Sequence, residues 1–322
     1  SLPSWVGACR RTVYESGSPQ TAAYLHCCVA TFEGQRGNLG EALRHCELAE
    51  NLLESDPHVW VLAAVERNRG SIEALRFNFK EANRHFETVE RLTAGSQGAW
   101  LAIDGSRAHL AYQAGRFEAA KTSLTKLIGA ATASNYRRIP ARETLARVHL
   151  ALGELEECAA QLSAIGITES GSNPLVPDYV ARWGQLTQLR LIAAKRDLAK
   201  ASGLAAKAWS DNRSVGDRAF DSALALEAAA LAMQLGDEVD AARWLTRANA
   251  AGCTQQPDLQ AAYYQLGSRC LPDGAAASSL LNRAAAIKVS RNLPPDQLPQ
   301  GPFVKGALSA RANKICDGIE LI

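Results

Sequence analysis

The stretches 115-GRFEAAKTSLTKL-127 and 153-GELEECAAQLSAI-165 are two settings of one pattern. A glycine closes one helix. A small residue opens the packing face of the next, an apolar residue follows four positions on, and another follows three later. The same spacing returns seven times, at Ala42/Cys46/Ala49, Ala82/Phe86/Val89, Ala120/Leu124/Leu127, Cys158/Leu162/Ile165, Ala201/Ala205/Ala208, Ala241/Leu245/Ala248 and Ala277/Leu281/Ala284. The leading residues are separated by 40, 38, 38, 43, 40 and 36 positions. A recurrence at that period marks a solenoid, in which each unit buries its apolar face only against its neighbours.

Working outward, residues 20–288 read as helix almost throughout. Apolar residues recur at three and four positions, and the alternation of strands is missing. In the second unit, 56-DPHVWVLAAVERNRGSIEALRF-77 followed by 78-NFKEANRHFETVERL-92, Asp56 and Pro57 mark a helix start. Val59, Leu62, Ala63, Glu66, Gly70 and Ala74 follow one face, Phe77–Lys80 make the turn, and Ala82, Phe86 and Val89 face back. The unit is a helical hairpin. Gly37, Gly115, Gly153 and Gly236 stand where a first helix must end in a left-handed residue. Ala30, Gly70, Ala108, Ala146 and Ala229 are small residues in mid-first-helix, which lets the partner helix approach. Leu189 and Gln265 replace them in units five and seven, so those two units are expected to pack less regularly.

This two-helix unit resembles the tetratricopeptide repeat: a small residue in the first helix, a Gly-x-φ-x-x-Ala turn and a later apolar pair. The resemblance covers about residues 20–287. The period is longer than the family's, and its usual Trp, Tyr and final Pro are largely missing, so the chain resembles the longer-helix branch. The resemblance implies an all-α solenoid of about seven hairpins wound as a right-handed superhelix. It also implies a role as a scaffold, or as an effector-sensing arm of a signalling protein or transcription regulator.

The expected organisation is a lead-in over 1–19, repeats one to four over 20–165, a loop or bend over 166–178 and repeats five to seven over 179–288. A Pro-rich linker (289–302) and a C-terminal helix (303–322) follow, the helix carrying Phe303, Leu308, Ala312 and Ile315 on one stripe. It would cap the array or lead into another domain. Without a starting Met, the chain reads as part of a longer or processed protein.

The net charge of +2 argues against nucleic acid or an anionic membrane surface as the main partner. No apolar run is long enough to span a bilayer. The eight cysteines form no C-x-x-C, and Cys46 and Cys158 hold packing positions. That usage fits a reducing, intracellular compartment. Several motifs suggest chemistry and are absorbed by the repeat. Ser123–Lys126 matches S-x-x-K and Ser210–Asn212 matches S-D-N, but Leu124 and Leu127 place Ser123 on an ordinary hairpin helix. His26, Cys27 and Cys28 lack the further ligands a metal needs. His45 and His85 read as equivalent, stacked surface positions. Trp60 and Trp100 read as packing between repeats, whereas Trp183 has an alternative orientation towards the groove. No phosphate cradle, cofactor site or general acid–base pair emerges, and the chain reads as non-enzymatic with no cofactor or metal.

Stacked hairpins line a concave groove with their first helices. The repeat frame places there Arg67, Asn68 and Ser71; Ser106, His109, Tyr112 and Gln113; Glu143, Thr144 and Arg147; Trp183, Thr187 and Arg190; and Glu227 with Gln234. The family's carboxylate clamp falls on Cys27, Thr31, Asn68, Ala102 and Ser106, where only Asn68 agrees. The three arginines, Arg67, Arg147 and Arg190, suit carboxylates through their planar fork. The expected function is therefore a scaffold holding a protein or peptide segment, acidic in part, or docking a flanking domain of its own chain.

Overall fold

A computed structural model describes residues 13, 17–54, 56–94, 99–130, 135–168, 171–172, 178–212, 216–253, 256–271 and 274–291. Among them the protein is all-α, with fourteen helices in seven hairpins. The pairs are α1 (Pro19–Gln35) with α2 (Leu39–Leu53), α3 (Val59–Leu75) with α4 (Phe79–Leu92) and α5 (Ala99–Gln113) with α6 (Phe117–Gly129). There follow α7 (Asn135–Ala151) with α8 (Leu155–Ala164), α9 (Asp178–Ala194) with α10 (Leu198–Asn212), α11 (Arg218–Gln234) with α12 (Glu238–Ala251) and α13 (Pro257–Cys270) with α14 (Ala275–Arg291). Two compact units divide the chain at Arg137/Arg138.

One turn repeats six times, and it explains why the hairpins form. After each of the first six first helices, the residue entering the next helix donates its N–H back to a carbonyl five positions earlier. The bonds run from Asn38 to Glu33 (2.9 Å), Asn78 to Glu73 (2.9 Å), Arg116 to Ala111 (2.8 Å), Glu154 to His149 (2.9 Å), Asp197 to Ile192 (3.2 Å) and Asp237 to Ala232 (2.9 Å). This closure satisfies helix-end carbonyls and needs a left-handed residue one position earlier. Glycine supplies it at 37, 115, 153 and 236, with φ from 72° to 81°, as the sequence leads one to expect. Phe77 (φ 61°) and Arg196 (φ 71°) supply it in hairpins two and five.

A non-glycine residue pays roughly 1–2 kcal/mol for that conformation. The Arg196 side chain is exposed, so little packing is lost with it. Arg196→Gly is therefore expected to stabilise the protein by about 0.5–1 kcal/mol after the entropy of the added glycine, and Gly153→Ala to destabilise it by about 1 kcal/mol. Urea midpoints check both, and a lower midpoint for Arg196→Gly would contradict the strain.

In the first unit, one core gathers Ala23, Cys27, Ala30, Ala42, Cys46, Ala49, Val65 and Ile72. A second joins Ala63, Ala74, Ala82, Phe86, Val89, Ile103 and Leu110. Gly70 is needed where it stands: a Cβ there would lie 2.5 Å from Phe86 Cε1.

In the second unit, Ala146, Cys158, Leu162, Ile165, Val180 and Leu191 form one cluster with Ile167. The larger cluster runs from Leu186 through Phe220, Leu224, Ala229 and Leu245 to Leu266. The stretch 166–178 lies inside this unit, and its described part is a two-residue hairpin, β1 (Ile167–Thr168) paired antiparallel with β2 (Gly171–Ser172). Ile167 is buried, and its Cδ1 fills the space beside Gly184 where a Cβ would sit.

The packing triplets are buried as expected in units one to four and six, while Ala208 is only half-buried in unit five. Unit seven corrects the register: Leu281 is 50% exposed, and Leu280 holds the core position. The close approach there is at Gly267, whose missing Cβ faces Leu280 Cδ1 at 3.4 Å, and two residues earlier Gln265 Oε1 accepts from Lys288 Nζ (2.8 Å). Helix α3 starts at Val59, with His58 at the N-cap position and no side-chain capping bond, so Pro57 precedes the helix. Helix α14 continues to Arg291, into the stretch read as linker. The remainder of that linker, the C-terminal helix, Trp5, and the packing read for Trp100 fall outside the described residues and side chains.

Candidate functional site

The first helices carry the residues read as a groove, and the structure divides those residues into two groups. Several are bonded to a neighbouring helix. Others, Arg67 and Ser71 in the first unit, lie on a helix face that also carries exposed residues outside the groove set.

Asn68 belongs to the bonded group. It is buried on α3, donates Nδ2 to the Cys27 carbonyl (2.9 Å), and accepts from Thr31 Oγ1 (3.2 Å). It ties α3 to α1, so its amide is engaged within the array. Arg69 reaches Glu50 (2.6 Å) from the same helix. Tyr112 is buried, with its ring between His109 and Phe117 (centroids 6.2 and 5.9 Å away). Gln113 and Ser106 are half-buried.

The histidines depart from the sequence reading. His45 is not a surface position: it is buried, and its Nδ1 meets the Nδ1 of buried His26 at 2.8 Å with the rings stacked. One ring must donate and the other accept, so the two tautomers are complementary. His85 meets Glu66 Oε2 at 2.7 Å. Burial raises the Glu66 carboxyl, but the hydrogen bond and charge of His85, with Arg69 and Arg84, bring it below its ordinary value. Among the described residues, no group of three or more His, Cys, Asp or Glu could hold a metal. The thiols of Cys27, Cys46, Cys158 and Cys253 are pushed up to about 12, chiefly by burial, which keeps them protonated and unreactive.

In the second unit the groove residues form a ladder across successive first helices. Arg147 clasps Glu143 through Nε and Nη2 (2.6 and 2.7 Å) and lies 4.8 Å over the Trp183 ring. Thr187 Oγ1 donates to the Trp183 carbonyl (3.0 Å) and to Glu143 Oε1 (3.3 Å). Thr144 is turned to its own helix, donating to the Pro140 carbonyl (3.1 Å). Trp183 meets Phe220 edge-on at 5.9 Å. Arg182 pairs with Asp217 (3.0 Å), whose other oxygen caps α11 at the Phe220 N–H (3.0 Å).

Arg190 donates to Glu227 (2.7 Å), a carboxylate with no exposed surface. Burial holds Glu227 above the usual carboxylate range, and Arg190 opposes that shift. Glu227 Oε1 and Gln234 Nε2 are buried without a hydrogen-bond partner among the described residues. Asp221, one turn past Asp217, rises to about 6 through burial and the charge of Asp217, with Arg182 pulling the other way.

The open set lies on α1 and α3. Gln20 Nε2 donates to Asp56 Oδ2 (2.7 Å), joining the starts of the first two hairpins. Four residues beyond each in sequence lie Tyr24 and Trp60, 58% and 54% exposed, and Val59, next to Trp60 in the chain, is 48% exposed. Trp60 is therefore not packing between repeats. Trp60, Arg67 and Ser71 sit at i, i+7 and i+11, one face of α3. Arg67 and Ser71 are half-buried, and Arg67 makes no ion pair among the described residues. Tyr24 carries no signal in the repeat frame, and only its exposure reveals it.

No protein-family model matches this chain, and no curated protein matches its sequence. No helix among the described residues is long and apolar enough to cross a membrane.

Proposed function

We propose that the chain is a non-enzymatic, intracellular interaction scaffold, a tetratricopeptide-like array of the long-period kind, that holds a segment of a protein partner. The observation that carries this reading is the exposure of Tyr24, Val59 and Trp60 close to the hydrogen-bonded starts of the first two hairpins. Large exposed apolar side chains near one another on a folded protein favour an interaction site. Trp and Tyr are the residues most often found at the energetic centre of interfaces. Arg67 lies two turns beyond Trp60 on the same helix face, which favours an apolar anchor followed by an acidic residue in the partner.

The acidic preference attaches to Arg67 and not to Arg147 or Arg190, whose carboxylate partners are internal. Those pairs support a structural role in stacking the hairpins. Cys27, Cys46, Cys158 and Cys253 are buried free thiols, which supports a reducing compartment.

A photo-crosslinking residue at position 60, used on the full chain, identifies the partner, and binding is then measured with both components purified. Tyr24→Ser with Trp60→Ser should leave stability within about 0.5 kcal/mol, as for other surface changes. The same pair should weaken binding at least tenfold. Unchanged affinity in the double variant would remove this surface from the function. A second reading, an effector-sensing arm of a multidomain regulator, draws support from the fifth hairpin.

A further inference from the structure

The fifth hairpin differs from the others at one decisive position. Where hairpins one to four and six carry Ala30, Gly70, Ala108, Ala146 and Ala229 in mid-first-helix, the fifth carries Leu189. The small residues let paired helices approach closely. Leu189, buried at that position, lines a cavity of about 170 Å³. Leu186, Leu189, Leu204 and Leu224 form the apolar part of its wall. Gln185 and Gln188 from α9, Lys207 and Asp211 from α10, and Thr168 from β1 supply the polar part.

The four polar side chains of α9 and α10 differ from the ladder of the groove. Arg147, Arg182 and Arg190 are each bound to a carboxylate. Gln185, Gln188, Lys207 and Asp211 make no side-chain hydrogen bond or ion pair among the described residues. Lys207 and Asp211 lie one turn apart on one helix face, so an ammonium and a carboxylate are presented side by side. Two amides at i and i+3 stand on the facing helix.

We propose that this cavity is a binding site for a small zwitterion with a branched apolar side chain, an α-amino acid of about leucine size. Its carboxylate pairs with Lys207, its ammonium with Asp211, the glutamine amides complete the hydrogen bonds, and the alkyl group enters the leucine-lined wall. The volume lies below the roughly 300–1,000 Å³ of sites for drug-sized ligands, which selects a small metabolite. A site with opposite charges at its mouth rejects a ligand carrying one charge, because the other site charge is then left unmatched. The proposal stands apart from the partner-binding reading, since the two involve different residues and different units.

Calorimetric titration of the full chain tests it with three probes: L-leucine, 4-methylpentanoate, which lacks the ammonium, and isoamylamine, which lacks the carboxylate. Saturable binding of L-leucine is expected, with each half-probe at least tenfold weaker. Lys207→Gln and Asp211→Asn, both at exposed positions, are each expected to weaken L-leucine at least tenfold with the melting temperature of the unliganded protein unchanged. Ala208→Leu is expected to fill the cavity and abolish binding. Absence of saturable L-leucine binding at millimolar concentration overturns the proposal. Equal binding of all three probes, or full affinity in Lys207→Gln and Asp211→Asn, overturns it as well, since the cavity is then an unselective apolar gap.

Discussion

Arg190→Ala is expected to lower the stability of the second unit by about 3–5 kcal/mol, the usual cost of leaving a buried charge without its partner. Glu227 has no exposed surface, and Arg190 is the group that compensates its charge. The loss depends on pH. The Glu227 carboxyl in the folded state lies above its ordinary value because of burial, and Arg190 restrains the rise. A group raised in the folded state favours folding below its unfolded value, and that contribution disappears as pH increases through the folded value. Removing Arg190 raises the folded value further. The deficit of Arg190→Ala should therefore be larger at pH 8 than at pH 5, where Glu227 can take up a proton. Arg190→Met with Glu227→Met should recover most of the loss, because a well-packed apolar pair replaces a buried ion pair at little cost. Denaturant melts of the parent, Arg190→Ala and the double Met variant at both pH values check this, and a loss below about 1 kcal/mol for Arg190→Ala at pH 8 contradicts the assignment.

Phe86→Ala is expected to destabilise the first unit by about 3–5 kcal/mol, since its ring is wholly buried and the hairpin cannot close the void. The ring occupies the space above Gly70, where a Cβ would fall 2.5 Å from Cε1 and 2.8 Å from Cδ1. Gly70→Ala alone should cost about 1–3 kcal/mol by overpacking, although alanine is the better helix former. The two changes are coupled. In the double variant the new methyl enters the void, so the combined loss should be smaller than the sum of the single losses by at least 0.5 kcal/mol. Additive losses would show that glycine is not required there by Phe86.

Much of the fold was legible because its rules are local. The Gly-x-φ-x-x-Ala turn is a chemical requirement of one backbone conformation, so Gly37, Gly115, Gly153 and Gly236 announce it. Phe77 and Arg196 adopt the same conformation with no sequence signal, because the tertiary frame imposes it on residues that do not favour it. The buried triplets were legible wherever helix period and unit period agreed. In unit seven the small residue is Gly267 rather than the residue at 265, the packing shifts by one position, and Leu280 replaces Leu281.

The candidate surfaces were less legible. The repeat frame says which residues share a helix face but not what each side chain bonds to. Arg67, Arg147 and Arg190 look alike in that frame. Two are held by Glu143 and Glu227, one of which is four residues away and the other thirty-seven. Trp60 follows the same rule in reverse: its spacing from Trp100 suggests packing, and the structure leaves it open. His45 reads as surface because its partner, His26, lies nineteen residues away on another helix.

The sequence by itself determined the helical hairpin, its number of copies and its turns, because helix periodicity, helix termination and the fit of a small residue under a large one act over a few neighbouring positions. Only the tertiary structure decided which polar groups are internal rungs and which remain open, and that Leu189 lines a cavity. Most of those outcomes depend on how separate helices approach one another, which no local pattern encodes.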